Sequence, residues 1–211
     1  MHITWYGQSC FKLQNNKQIV LINPSEPRKA GLRGPNFKAN IFILTDIKES
    51  IDEKILKKNN SFLISGPGEY EVNKIFIYGI PIKKDGRIKS IIYQVNMDEV
   101  RCGVLGQLDS SPSGEELDKL DGVDVLFVPI GGKDDFSVGN AIELINSLEP
   151  KIIIPCCYNN NPGVEITSLP LLKRFLKEAG IKDSKSLPKL SIKNKDLLSQ
   201  GESKIIILEN V

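Results

Sequence analysis

The order of strands and helices along the chain is the feature that most restricts its fold. Runs rich in β-branched and aromatic residues fill the first half, and they predict strands at 2–6, 10–13, 18–23, 41–45, 62–65, 69–72, 75–80, 90–96 and 101–105. Strands and helices alternate afterwards, with helices predicted at 113–120, 138–148 and 169–179 and strands at 123–128, 151–155 and 204–208. Because both faces of a sheet need apolar cover, this order predicts an α/β fold, a four-layer αββα sandwich, in a single domain spanning residues 1–211.

Short polar motifs predict where individual elements begin and turn. The capping boxes Ser50-Ile51-Asp52-Glu53 and Ser113-Gly114-Glu115-Glu116 each predict the first turn of a helix. Asn15-Asn16 and Asp85-Gly86 are typical of hairpin turns. The segment 24–40 is rich in proline, glycine and charge, so we expect a long loop there, and long loops often border a site.

The charge balance gives no general case for nucleic acid or an anionic membrane as a partner. The chain has 28 Lys and Arg against 26 Asp and Glu, a formal net charge of +2. The segment 171–196 holds eight basic and three acidic residues, which is typical of the solvated face of an amphipathic helix. A nucleic-acid accessory role through this segment is a weaker alternative. The start lacks a signal-peptide pattern and no apolar run approaches the roughly 20 residues of a membrane span, so we expect a cytoplasmic protein that does not enter a membrane.

Histidine and cysteine usage restricts the metal chemistry. His2 is the only histidine, and we expect it on the surface of the first predicted strand. A catalytic zinc ion takes three protein ligands and a water molecule, and a dinuclear site needs more ligands than that. The four cysteines follow no disulfide or zinc-finger spacing, so we expect them to be thiols.

Four segments, in order along the chain, carry a resemblance to a known family. Residues 3–11 (ITWYGQSCF), 66–72 (GPGEYEV), 123–132 (VDVLFVPIGG) and 150–155 (PKIIIP) resemble metallo-β-lactamase-fold proteins. More narrowly, they are similar to the small bacterial metal-dependent hydrolase-like proteins related to ascorbate-6-phosphate lactonases. The resemblance extends from residue 3 to about residue 208. It implies the αββα sandwich and, in the family, a cleft in which histidines and aspartates hold two metal ions.

The metal-binding motifs of that family are altered in this chain. The family's His-x-His-x-Asp-His loop corresponds to residues 46–51, where Asp46 is still a ligand type and Lys48 brings a cation. Its His-Leu-Gly-Asp-type segment corresponds to residues 104–107, which end in Gln107, and its last histidine corresponds to Cys157. The resemblance therefore implies that most metal ligands of the family are replaced here.

The polar groups at and near these positions define the candidate cleft residues, which are Asp46, Lys48, Gln107, Asp109 and Cys157. Asp46 is either a ligand or the cap of a turn, and Asp109 is either a substitute carboxylate or part of a turn. Cys157 is either a thiolate ligand or nucleophile, or a buried apolar filler. If the strand continues through both residues, Cys156 and Cys157 face opposite ways, and we then expect them not to chelate one ion together. No catalytic residue is assigned and no metal is expected, with Asp46 and Cys157 as the candidate ligands if one binds.

These observations favour a degenerate metallo-β-lactamase-fold protein without dinuclear zinc hydrolase activity, a pseudoenzyme whose cleft binds a small ligand or another protein. The alternative is a metal-dependent hydrolase of phosphoester, lactone or amide bonds that uses a displaced site with zinc or manganese as cofactor. The sequence leaves the substrate and the formation of a homo-oligomer open.

Overall fold

Two mixed β-sheets occupy the centre of the protein in the computed structural model, which describes residues 1–131, 136–158, 169–181, 185–198 and 201–211. The strands of the first sheet are β1 (His2–Trp5), β2 (Phe11–Gln14), β3 (Ile19–Ile22), β4 (Ile41–Ile43), β5 (Phe62–Ile64) and β13 (Leu190–Ser191). They are arranged in the order β13, β1, β2, β3, β4, β5. Strands β3, β4 and β5 are parallel to one another, and the other neighbours are antiparallel.

The second sheet has seven strands in the described part of the chain. They are β6 (Gly68–Val72), β7 (Ile75–Lys84), β8 (Arg87–Met97), β9 (Val100–Val104), β10 (Val125–Pro129), β11 (Ile152–Cys156) and β14 (Lys204–Ile205). Their order is β14, β11, β10, β9, β8, β7, β6, so an antiparallel meander continues into a parallel half. A short parallel pair, β12 (Ser186–Leu187) with β15 (Ile207–Leu208), completes the described strands.

Helices lie on the outer faces of both sheets. They are α1 (Glu26–Lys29), α2 (Glu53–Asn59), α3 (Gly114–Asp118), α4 (Val138–Leu148), α5 (Pro170–Glu178) and α6 (Asn194–Leu198). Leu56 of α2 packs with Leu21 and Phe42 on the outer face of the first sheet. Helices α4 and α5 contact each other, and α4 contacts β10 of the second sheet. The predicted αββα sandwich is therefore confirmed. No helix in the described ranges is both long enough and apolar enough to cross a membrane.

The space between the sheets is filled by apolar side chains, with an aromatic pair across the interface. Phe11 of β2 and Phe127 of β10 stack with ring centroids 4.3 Å apart and an interplanar angle of 28°. Trp5 of β1 extends this group, because its ring lies 6.4 Å from Phe11 and 5.1 Å from Tyr158. Offset aromatic contacts of this kind add to the free energy gained by burying the rings.

The sheets are also joined directly at one corner, where the chain leaves β4 and meets β8. The backbone N–H of Ile91 donates to the carbonyl of Thr45 at 2.8 Å, and Asp46 forms an antiparallel bridge with Ser90. The corner is therefore formed by main-chain groups, whose geometry does not depend on side-chain rotamers.

A buried amide, that of Asn23, fixes the strand ends beside this corner. Its Oδ1 accepts from the backbone N–H of Thr45 at 2.9 Å, and its Nδ2 donates to the hydroxyls of Ser9 and Thr45 at 2.9 Å each. Asn23 has a positive φ of 46°, a conformation that asparagine tolerates better than most residues. This amide therefore links three separate chain segments.

Local signals were correct for most elements and wrong for one helix start. The capping box at Ser113 and the turns at Asn15-Asn16 and Asp85-Gly86 are present. The capping box at Ser50 is not, because Asp52 caps α2 by accepting from the backbone N–H of Lys54 at 2.8 Å. Aspartate is at least as good a cap as serine and lies directly before the helix.

The segment 24–40 was predicted as a loop but contains α1. A proline in its first turn has a φ suited to a helix start, and a single short turn carries no periodic pattern. Strands β12 and β13 and helix α6 were also not predicted, since each has only two to five residues. Gly132, which is part of the resemblance, lies outside the described residues.

Replacing Phe127 tests the sheet-to-sheet core. Phe127→Ala should lower the free energy of unfolding by about 3–5 kcal/mol, because it removes a stacked ring from a fully packed interface. Phe76→Ala is the matched control, since Phe76 lies on β7 with 52% of its surface exposed, and should change stability by less than about 1 kcal/mol. Urea unfolding followed by circular dichroism measures both. Equal effects of the two variants would contradict this account of the core.

Replacing Asn23 tests the buried amide. Asn23→Ala should destabilise the protein by about 2–4 kcal/mol, because the hydroxyls of Ser9 and Thr45 and a backbone N–H lose buried partners. Asn16→Ala, at an exposed position of a hairpin turn, is the control and should cost less than about 1 kcal/mol. Thermal and urea unfolding of both variants measure the difference. A loss in Asn23→Ala no larger than in the control would show that the amide does not hold the strand ends.

Candidate functional site

A cleft of about 250 Å³ lies at the corner where the end of β4 meets β8. Its charged lining side chains are Glu26, Asp46, Lys48, Arg87, Lys89 and Asp109. Its uncharged polar lining side chains are Ser9, Thr45, Ser90 and Gln107. The cleft therefore combines three cations with three carboxylates in a small volume.

The loop after β4 brings Asp46 and Lys48 to the cleft. Asp46 Oδ1 accepts from the backbone N–H of Lys48 at 2.8 Å, and the carbonyl of Asp46 accepts from the N–H of Glu49 at 3.1 Å. These bonds form a tight turn in which the Asp46 carboxylate stabilises its own loop. Asp46 therefore caps a turn, which is one of the two roles considered for it, and one of its oxygens already accepts a hydrogen bond.

Glu49 connects this loop to α1. Its carboxylate accepts a hydrogen bond from the Ser25 hydroxyl at 2.8 Å and also pairs with the Lys29 ammonium. The hydrogen bond from Lys29 to Glu49 raises the pKa of that ammonium above its ordinary value. The start of the segment 24–40 is thereby held against the cleft, as expected for a loop that borders a site.

Gln107 and Glu26 meet within the cleft. The Gln107 amide donates to the Glu26 carboxylate, which comes from α1. Gly106, just before Gln107, has a φ of 68°, and a Cβ atom there would lie 2.3 Å from Thr45 Oγ1. Glycine is therefore required at position 106, and its conformation sets the direction from which Gln107 enters the cleft.

Arg87 and Lys89 reach the cleft from the first residues of β8. They follow the turn at Asp85 and Gly86, whose φ angles of 54° and 71° suit a two-residue hairpin. The sequence reasoning missed both residues, and it also missed Glu26. The sequence around a hairpin turn does not show whether a charged side chain lines a cleft or extends into open solvent.

Four of the five predicted cleft residues come together, and Cys157 does not join them. Asp46, Lys48, Gln107 and Asp109 all line the cleft, whereas Cys157 is only 4% exposed and belongs to the apolar core. Its thiol points to the carbonyl of Gly106 at 3.8 Å. Cys157 therefore lies beneath the cleft, next to the residue that precedes Gln107.

The opposite orientation expected for Cys156 and Cys157 applies only if the strand continues, and the strand does not continue through Cys157. Strand β11 ends at Cys156, and Cys157 adopts a left-handed conformation with a φ of 57°. The two sulfur atoms lie 3.7 Å apart, because the reversal of the backbone returns the second side chain to the same side.

All four cysteines are buried thiols, as predicted. Burial raises the pKa of the Cys10 and Cys102 thiols far above the usual range. These two side chains are therefore protonated at neutral pH and act as small apolar groups in the core.

The donor atoms around the cleft do not fit a dinuclear zinc site. Within the described residues, no group of three or more histidine, cysteine, aspartate or glutamate side chains converges closely enough to hold a metal ion. His2 lies on the exposed surface of β1, as predicted, with Nδ1 2.8 Å from the Ser191 hydroxyl. The cleft therefore offers carboxylates and an amide beside an ammonium, without an imidazole.

The basic segment of the second half lies on the surface where it is described. Lys173, Arg174 and Lys177 are exposed on α5, and Arg174 pairs with Glu178 at 2.8 Å. The opposite face of α5 is buried, as expected for an amphipathic helix. Lys182 and Asp183 lie outside the described residues.

Comparison with known proteins gives consistent similarities over most of the chain. The model of the beta-lactamase superfamily domain matches residues 2–157. A protein of Archaeoglobus fulgidus named UPF0173 metal-dependent hydrolase is 23% identical over 205 residues, covering 78% of this chain and 86% of the relative. A UPF0173 protein of Pyrococcus furiosus is 24% identical over 180 residues, covering 75% of this chain and 83% of the relative.

A solved structure gives the same result in three dimensions. A protein of Thermotoga maritima, described as a proposed Zn-dependent hydrolase of the metallo-beta-lactamase superfamily, is 26% identical with a TM-score of 0.77. The alignment covers 99% of this chain and 98% of that protein. The narrower relation to ascorbate-6-phosphate lactonases stays a prediction. Because the family model matches more than half of the 211 residues and the sandwich agrees with it, this chain belongs to the beta-lactamase superfamily domain family, with the metallo-β-lactamase fold.

Proposed function

We propose that this chain uses the cleft of a metal-dependent hydrolase fold to bind a small polar ligand without a dinuclear metal centre. The observation that carries the proposal is the chemistry of two positions in the cleft. Lys48 brings an ammonium group, and Gln107 brings an amide that is hydrogen-bonded to Glu26. Neither group is among the usual protein ligands of zinc, which are cysteine, histidine, aspartate and glutamate.

Electrostatics support the proposal further. The positive charge of a lysine that lines the cleft would repel a divalent ion held there. Arg87 and Lys89 line the same cleft and add to this repulsion. The cations of the cleft therefore replace part of the positive charge that metal ions provide in the related enzymes.

A second candidate function is supported by the names of relatives. The Archaeoglobus protein is called a metal-dependent hydrolase, and the Thermotoga protein is described as a proposed Zn-dependent one. By analogy this chain would hydrolyse phosphoester, lactone or amide bonds with zinc or manganese at a displaced site. Glu26, Asp46 and Asp109 would be the carboxylates nearest to such an ion, since all three line the cleft. The metal content of the purified protein separates the two candidates.

Elemental mass spectrometry of tag-free protein, purified without chelators and then challenged with zinc and manganese, is the direct test. The proposed function predicts well below one metal ion per chain, before and after the challenge, because the cleft lacks a convergent set of ligands. Retention of about one or two ions per chain would support the hydrolase instead.

A variant with added metal-ligand side chains tests whether these cleft positions lie close enough together to bind zinc. Combining Lys48→His with Gln107→Asp removes the ammonium and adds two ligand groups beside Asp46, so we expect zinc uptake measurable by calorimetry. The control is Lys54→His, at an exposed position of α2 outside the cleft, and it should bind no zinc in the cleft. A folded double variant that binds no more zinc than the control would mean that these three positions do not converge.

A further inference from the structure

We propose that the ligand of this cleft is a small phosphate-bearing anion, held by Lys48, Arg87 and Lys89. The inference rests on the proposed function, because these side chains would bind the negative charge of a ligand that metal ions would otherwise bind. It also names the chemical class of the ligand.

The three cations converge although they come from separate parts of the chain. Lys48 lies in the loop after β4, and Arg87 and Lys89 lie at the start of β8. None of the three forms an ion pair with any residue of the described ranges, whereas Lys29 and Arg101 are paired with Glu49 and Asp124. The cleft therefore collects positive charge that protein carboxylates do not neutralise by direct pairing.

The strand that carries two of these cations is well suited to hold them in place. Arg87 comes directly after the hairpin turn and Lys89 lies two residues further along β8, and both side chains line the cleft. The tight turn at Asp85 and Gly86 fixes the start of the strand. The ladder between β7 and β8 has a bulge in β8, because Ile82 pairs with Ser90 and Lys83 with Ile88, which leaves Lys89 as the extra residue. Bulges of this kind redirect side chains, and they are common beside binding sites.

A phosphate group suits three cations better than a carboxylate does, because it carries up to two negative charges and three strong acceptor oxygens. The planar guanidinium of Arg87 can donate two parallel hydrogen bonds to one phosphate group, and an ammonium binds the remaining charge as a point cation. A volume of about 250 Å³ is at or below the lower limit of ordinary small-molecule pockets, which favours a phosphate monoester of a small molecule over a polymer.

The carboxylates of the cleft limit what else the ligand can carry. Glu26 accepts from Gln107 and Asp46 accepts from the N–H of Lys48, while Asp109 adds a third negative charge. These groups repel an anion and attract hydrogen-bond donors. The preferred ligand therefore carries hydroxyl groups beside its phosphate, as glycerol 3-phosphate does.

Calorimetric titration of the whole protein in excess EDTA tests this inference, with inorganic phosphate, glycerol 3-phosphate and acetate as probes. We expect saturable binding of both phosphates and much weaker binding of acetate. Arg87→Gln should weaken the affinity for phosphate by roughly tenfold or more, because a charge-assisted pair is lost. Lys54→Gln removes the same charge outside the cleft and should leave the affinity within about twofold, as expected for a screened distant charge.

A variant that should raise the affinity for phosphate tests whether the loss in Arg87→Gln comes from damage to the fold. Asp109→Asn removes a repelling charge, so it should raise the affinity for inorganic phosphate by roughly threefold or more. A folding defect cannot produce a gain of affinity. Circular dichroism of every variant confirms that the fold is retained.

The outcomes separate this inference from the proposed function. No phosphate binding in metal-free protein, equal losses in Arg87→Gln and Lys54→Gln, or equal binding of acetate and phosphate would overturn the inference alone. Phosphate binding that disappears in EDTA and returns with zinc or manganese would overturn both, and would favour the hydrolase. Metal-free binding that is lost in Arg87→Gln and strengthened in Asp109→Asn would support both.

Discussion

The corner at which the first sheet crosses onto the second is the constraint on which the candidate site depends. A main-chain hydrogen bond of 2.8 Å joins Ile91 to Thr45, and the Asn23 amide holds Thr45 from the other side. Thr45 lines the cleft, and the loop that carries Asp46 and Lys48 begins directly after it. Because backbone groups and a buried amide form the corner, changes in exposed side chains leave its geometry intact.

The similarity of the fold leads us to expect a metal-dependent hydrolase. The chemical groups at the site lead to a different expectation. Identities of 23–26% to a metal-dependent hydrolase and a proposed one accompany a shared fold. Function is determined by the groups at the site, and here an ammonium and an amide stand where the resemblance implies ligands. Glu26, Arg87 and Lys89 add charges that the family resemblance did not predict. The chain thus has the fold of these hydrolases, and the charges that line its cleft are the basis of the proposed anion site.

The sandwich could be predicted from the sequence because strand periodicity and the order of elements reflect burial directly. The cleft was predicted only in part, since Asp46, Lys48, Gln107 and Asp109 follow strand ends that the resemblance aligned. Cys157 could not be placed correctly, because a left-handed residue at the end of β11 reverses its direction without any glycine or asparagine to indicate it. Arg87 and Lys89 were missed since nothing local distinguishes a lysine in a cleft from one in water. Sequence patterns predict well which residues are buried. They predict poorly which exposed side chains come together in space.

Below the cleft, two glycines bring backbone and side chains into close contact. A Cβ atom at Gly106 would lie 2.3 Å from Thr45 Oγ1, and one at Gly131 would lie 2.2 Å from the carbonyl oxygen of Cys157. The floor therefore has no room for a larger residue, whereas the rim carries exposed side chains such as Lys48 and Arg87. A cleft built in this way can change its ligand through substitutions at the rim while its floor stays invariant in shape. Under the proposed function, exposed positions such as Lys48, Arg87 and Lys89 would determine which anion is bound, and substitutions at exposed positions usually have little effect on stability.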